Sequence, residues 1–274
     1  MVFALDMKVE RCIRGAFRNR DRLTDPAVQQ TIHEVIAKLD RGELRAAEKI
    51  DGTWKVNSWI PEAIALYFVI QPIEALQAGI LSYRDKIPLK TEIADIRVVP
   101  PGVARYGSHL EPGVILMPGY VNIGAYVGAG TLIDTWATVG SCAQVGRDVH
   151  LSGGVGLGGV LEPPSAYPVI VEDGVFVGSR CVIVEGVLVE EEAVLGAGVI
   201  LTASTPIVDV TRSEPVIFKG WVPARSVVIP GSMPKQFPAG EYNTPCALII
   251  GQRSASTDRK TSLNQALRTF EVPV

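Results

Sequence analysis

The sequence predicts a mainly β chain wound into a three-sided parallel coil, with a helical region before it and a short cap after it. Three observations carry this. First, an aliphatic residue stands at every sixth position from Val121 through Val127, Ile133, Val139, Val145 and Leu151 to Leu157. A helix repeats near 3.6 residues and a simple strand at 2, so a six-residue period fits neither; it fits three six-residue sides per turn with one side chain per side on the axis. Second, four residues after each of the first six stands a small or modest side chain: Ala125, Thr131, Ala137, Ala143, Val149 and Val155. Third, glycine is abundant, at 27 residues, while aromatics make up 7%.

Residues 1–95 read as a helical region with a strand pair. Asp25 is placed to cap a helix with Pro26 at its first position, and Val28, Ile32, Val35, Ile36 and Leu39 then share one face. A short hairpin is expected around Lys49 to Trp59, and a further helix from Pro61 carrying Ala65, Phe68 and Val69.

The six-residue pattern governs residues 96–235. A second register runs Val171, Val177, Ile183, Val189, Leu195, Leu201, Ile207, offset from the first by two positions in six. The segment between them, LEPPSAYPVI, therefore holds an insertion, and its prolines cannot serve a central ladder. It is expected to loop out from a corner. A second excursion spans Val208 to Gly220, after which Val222 and Val228 resume the spacing. Eighteen residues per turn give roughly seven coils and a prism of roughly 35 Å at the usual ~4.8 Å strand spacing. Gly124, Gly128, Gly140, Gly146, Gly178 and Gly196 fall at the turns, where a positive φ is expected. The GGVGLGG stretch lacks a following helix and a GK[ST], so it is read as structural and not as a phosphate loop. Residues 236–274 are expected to cover an open end of the coil, with a helix capped by Thr261 or Ser262 and carrying Leu263 and Leu267.

Composition excludes several classes. A net charge of −3 argues against nucleic acid as the partner, and no apolar run approaches the ~20 residues of a membrane helix. The start, MVFALDMKVER, lacks the order of a secretion signal. Cys12, Cys142, Cys181 and Cys246 are scattered without metal-like spacing and are expected as reduced thiols. A cytoplasmic protein with no metal and no covalent cofactor is expected.

Longer motifs narrow the reading. RVVPPG at 97–102, YVNIGAYV at 120–127, IDTWATVGSCAQVG at 133–146 and VHLSGGVGLGGVLEP at 149–163 resemble the tetrahydropyridine-dicarboxylate N-succinyltransferase family. AEKIDGTW at 47–54 and KTSLNQALR at 260–268 extend that resemblance over nearly the whole chain. It implies a left-handed coil, a homotrimer, and succinyl transfer from succinyl-CoA to the ring-opened amino-keto form of a cyclic imine dicarboxylate in lysine and diaminopimelate synthesis. It also implies that Arg97 binds substrate and that Asp134 is the key carboxylate.

Those residue types suit the chemistry. The amine must lose a proton to attack, and an outward Asp134, next to an inward Ile133, can orient it and accept that proton. Read from the residues alone, Asp134 serves equally as a turn-capping Asp. A planar guanidinium at Arg97 suits a dicarboxylate better than a lysine does, though an ordinary surface Arg is the alternative. Glu162 opens the Pro-rich loop, to contact the substrate amine or stand in solvent. Arg180, Lys219, Arg225, Arg253 and Lys260 are candidates for the CoA phosphates, with Lys260 favoured. His150 stands open between a base and a hydrogen-bonded structural residue.

The chain departs from the family pattern at Val182, where many members carry a Glu after the FIGAR-like stretch, here FVGSR at 176–180. An acyl-anhydride route through that Glu is excluded, leaving direct attack on the thioester assisted by Asp134. Pro206 and Trp221 stand where basic residues are common. That leaves acetyl-CoA as the alternative donor and a β-helical scaffold without activity as the alternative class.

Overall fold

The computed structural model describes residues 2–162 and 167–253. The chain opens with α1 (Val2–Arg18), a 3-10 turn (Arg20–Thr24) and α2 (Pro26–Asp40). Asp25 caps α2, its side chain accepting from Ala27 N–H, and Pro26 fills the first turn where its missing donor costs nothing. Val28, Ile32, Val35, Ile36 and Leu39 all lie on the buried face, as their spacing requires. Strands β1 (Ala47–Ile50) and β2 (Thr53–Val56) form the expected hairpin, and α3 runs Ile60–Ile70. The buried residues of α3 are Ile60, Ala63, Ile64, Leu66 and Tyr67, while Val69 is exposed. Two elements had no clear signature: α1 itself, and the hairpin of β3 (Glu74–Ala78) and β4 (Leu81–Asp85).

Past this region the strands coil in parallel, two residues per rung. The first wall stacks Arg97–Val98, Ile115–Leu116, Leu132–Ile133, His150–Leu151, Phe176–Val177, Val194–Leu195 and the start of Ser226–Phe237. The second wall runs from Val103–Ala104 to Ile200–Leu201, and the third from His109–Leu110 to Trp221–Val222. In each rung the second residue points inward. Both six-residue registers join one buried core, together with the small residues Ala125, Ala137, Ala143 and Val155. The insertion is visible in the pairing: Tyr126 pairs Gln144 eighteen residues on, but Gln144 pairs Ile170 twenty-six residues on. The excursion after Val208 is a hairpin of Ile207–Asp209 with Val216–Phe218, and Val222 and Val228 return to the core. A long hairpin, Ser226–Phe237 with Gly240–Gln252, closes the described chain. The expected helix around Leu263 and Leu267 lies outside the described residues.

The glycine expectation needs correction. Of the six turn glycines, only Gly124 has a positive φ, 77°. The left-handed corners recur six residues apart at Gly124, Gly130, Trp136, Cys142, Asp148 and Gly154. The others are glycine because neighbouring coils touch there: a Cβ on Gly140 would stand 2.4 Å from Gly159 N. The constraint at those positions is close approach between rungs, not backbone freedom.

The helical region is keyed into one edge of the prism, where the second wall turns into the third. Ile123, Cys142 and Val160 from that edge share a core with Ile32, Ile36, Ile60 and Ile64. A buried ion pair adds to it: Lys90 Nζ lies 2.9 Å from Asp40 Oδ1, which also accepts from Gly107 N–H. The four cysteines are free, and burial pushes the Cys142 thiol up to about 12. No helix among the described residues is long and apolar enough to cross a membrane.

Gly140→Ala is expected to lower stability by about 1–3 kcal/mol through overpacking, read as a fall in denaturant midpoint, because the backbone of Gly158 and Gly159 cannot give way.

Candidate active site

Arg97 and Asp134 stand on the outer face of the first wall. Val98 packs against the core, so Arg97 points outward and is exposed. Ile133 is fully buried, so Leu132 and Asp134 flank it on the outer side. Register puts Arg97 opposite Ile115, and Ile115 opposite Leu132. The two residues are thus two rungs and two residues apart, about 12 Å between backbones from ~4.8 Å per rung and ~3.3 Å per residue.

Asp134 begins the corner between the first and second walls. Its Oδ1 accepts from Thr135 N–H at 2.6 Å and lies 3.2 Å from Thr135 Oγ1. His150 joins the same outer face one rung on from Leu132, its ring centroid 5.0 Å from that of Phe176. Glu162 is exposed and follows Leu161, which packs toward the helical core at the edge between the second and third walls. Within one chain the fold therefore sets Arg97, Asp134 and His150 along the outer face of the first wall but leaves Glu162 at a different edge. Lys260 lies outside the described residues.

A cavity of about 560 Å³ lies elsewhere, between the β1–β2 hairpin and the edge joining the third and first walls. Its lining is held by internal pairs that the sequence did not announce. Glu172, nearly buried, accepts from Lys49 Nζ at 2.7 Å and Trp54 Nε1 at 2.6 Å, pinning the hairpin to the coil. Arg45 donates to Gln144 Oε1 and stacks 3.7 Å over the Tyr126 ring. Tyr126 Oη donates to Glu111 Oε1, and burial together with that bond pushes the phenol up to about 12. The only sequence signal was AEKIDGTW, which holds Lys49 and Trp54.

Comparison with known proteins fixes the family. Residues 8–70 match the model of the tetrahydrodipicolinate N-succinyltransferase N-terminal region, and residues 168–203 that of the hexapeptide repeat of succinyl-transferase. The chain is 50% identical to the 2,3,4,5-tetrahydropyridine-2,6-dicarboxylate N-succinyltransferase of Azoarcus sp., over 95% of this chain and 98% of that one. It belongs to the tetrahydropyridine-dicarboxylate N-succinyltransferase family. The proteins of the same name from Coxiella burnetii and Neisseria meningitidis are 52% and 49% identical, over 93% and 96% of this chain and 97% and 99% of theirs. As a hexapeptide-repeat acyltransferase of this family, the chain has a left-handed coil.

For this family member, three further placements bear on the chemistry. Val182 points outward on the second wall between Gly156 and Ile200, in an exposed apolar strip. Arg225 is engaged by Glu192 and by the carbonyl of Arg253, whereas Arg180 and Lys219 have no carboxylate partner among the described residues. Trp221 is half-exposed on the third wall, edge-on to Phe218.

Glu111 sets an acid limit on the hairpin side. Burial alone would raise its pKa, but bonds from Tyr126 and Ala129 N–H and the Arg147 charge outweigh that and hold it below the ordinary value. A depressed carboxylate stabilises the fold above its unfolded pKa and loses that contribution as pH falls through the folded value. Glu111→Gln is expected to cost about 1–3 kcal/mol at pH 7. The gap in melting temperature from wild type should shrink as pH is lowered below about 4 in a titration from pH 7 to 3.

Proposed function

We propose that this chain transfers the succinyl group of succinyl-CoA to ring-opened tetrahydropyridine-2,6-dicarboxylate, giving N-succinyl-2-amino-6-oxopimelate. It works as a cytoplasmic homotrimer in lysine and diaminopimelate synthesis. The observation that carries the reading is the outward pair, Arg97 and Asp134, on the outer face of one wall. Water adds to the imine and opens the ring to an amine and a ketone. The amine nitrogen attacks the thioester carbonyl, the C–S bond breaks, and CoA leaves as a thiol. Asp134 accepts the amine proton, and Arg97 grips a substrate carboxylate with its planar fork. The exposed Val182 carries no carboxylate to trap an acyl anhydride, which supports direct attack.

A trimer fits the same geometry. Asp134 lies at an edge left open by the helices and by the β1–β2 hairpin, and acyl transfer gains from a site that excludes water. A neighbouring copy would close it, with Lys260 as the expected contact to a CoA phosphate. The apolar Val182 and the uncharged Pro206 and Trp221 favour a second reading of the donor, acetyl-CoA, because fewer cations then meet the succinyl carboxylate.

Thiol release with each donor tests this. Succinyl-CoA with the imine dicarboxylate is expected to turn over and acetyl-CoA to be the poorer donor; no release with either, from a folded trimer in light scattering, refutes the reading. Asp134→Asn is expected to cut kcat by about 100-fold or more with CoA binding intact. Arg97→Lys is expected to raise KM for the dicarboxylate about tenfold, since a point charge replaces a bidentate fork.

A further inference from the structure

We propose that Thr135 is a positioning residue for this reaction, holding the Asp134 carboxylate by one oxygen, Oδ1, so that Oδ2 faces the substrate amine. The inference rests on the proposed role of Asp134 as the group that takes the amine proton.

Thr135 brings both its backbone N–H and its hydroxyl to the same carboxylate oxygen, at 2.6 and 3.2 Å. Its own place is fixed from every side. Its carbonyl accepts from Gly154 N–H on the next coil at 2.9 Å, and Trp136 N–H donates to Pro118 O on the previous coil at 2.5 Å. Asp134 N–H in turn donates to Leu151 O at 2.9 Å. Trp136 sits in the left-handed region, φ 59°, a conformation a bulky side chain adopts at some cost and keeps only where its surroundings demand it. The Thr135 backbone is therefore a fixed base from which its N–H and hydroxyl both reach the carboxylate.

Corner closure does not need this contact. Ala137 N–H donates to Asp134 O at 2.9 Å, and that main-chain bond closes the turn. The corners above it on the same edge close the same way, Val155 N–H to Ser152 O at 3.2 Å and Cys181 N–H to Gly178 O at 3.3 Å. There the residue after the first is Gly153 or Ser179, and the first residue is not acidic. Along the six corners of this edge, starting at Val99, Met117, Asp134, Ser152, Gly178 and Gly196, only this one sets a hydroxyl beside a carboxylate. Orientation, not turn formation, is what the Thr135 side chain adds.

Thr135→Val keeps the shape and the backbone donor but removes the hydroxyl. Thr135→Ser keeps the hydroxyl. In steady-state thiol release, Thr135→Val is expected to lose about tenfold in kcat with KM for the dicarboxylate within about twofold of wild type, since a misaligned base costs rate more than binding. Thr135→Ser is expected to recover kcat to within about twofold. Crystal structures of both variants should have the Asp134 carboxylate rotated or split in Thr135→Val and in its original plane in Thr135→Ser. An unchanged kcat in Thr135→Val, or Thr135→Ser as impaired as Thr135→Val, overturns the proposal. If wild type transfers no succinyl group at all, the crystals decide: a rotated carboxylate in Thr135→Val upholds the contact while the reaction assignment falls, and an unmoved one sinks both.

Discussion

Everything in this molecule depends on the contact between successive coils. Rungs about 4.8 Å apart hydrogen-bond along three walls, and each must set one aliphatic side chain on the axis every six residues. Val121, Val127, Ile133 and their successors do this without a break until the Pro-rich insertion shifts the register. The same contact dictates what stands between them. Where coils touch backbone to backbone, as at Gly140 against Gly158 and Gly159, a side chain has no room. Where a corner turns through the left-handed region, glycine is common but not obligatory, and Trp136, Cys142 and Asp148 occupy that geometry too.

That periodic demand is why the coil is so legible in the sequence. A single aliphatic position read every six residues predicts the walls, the inward set and both interruptions. The helix after Asp25 is legible for a similar reason, because its cap, its proline and its apolar stripe are all local. The hairpin of β3 and β4 has no such mark; its strands are largely exposed, so no alternation of burial is imprinted on them. The glycines were misread because crowding and φ both select the same residue. Only the neighbouring coil, remote in sequence, distinguishes the two causes.

The site divides along the same line. Outward direction at Arg97 and Asp134 follows from inward neighbours at Val98 and Ile133, so their common wall was readable once the period was known. Their chemical roles were not; an Asp after an inward aliphatic is equally a corner residue, and only the longer motifs set it apart. The pairs that fasten the N-terminal region to the coil were unreadable in principle. Lys49 and Trp54 meet Glu172 across more than a hundred residues, and Arg45 meets Tyr126 through a stack that no spacing encodes.

The three edges of the prism have divided their work. Helices fill the edge between the second and third walls through Ile123, Cys142 and Val160. The β1–β2 hairpin covers the edge between the third and first walls through Glu172 and Tyr126. The remaining edge carries Asp134, Thr135 and an indole at Trp136 that is 66% exposed. A chain that only needed stability would have little reason to keep a large aromatic in a left-handed corner in water, beside a carboxylate whose one oxygen is already committed. The hairpin-side cavity and the Asp134 edge therefore differ for a physical reason. The first is lined on one side by the chain's own hairpin, whereas at the second Asp134 stands partly exposed beside the Trp136 indole, covered by neither the helices nor the β1–β2 hairpin.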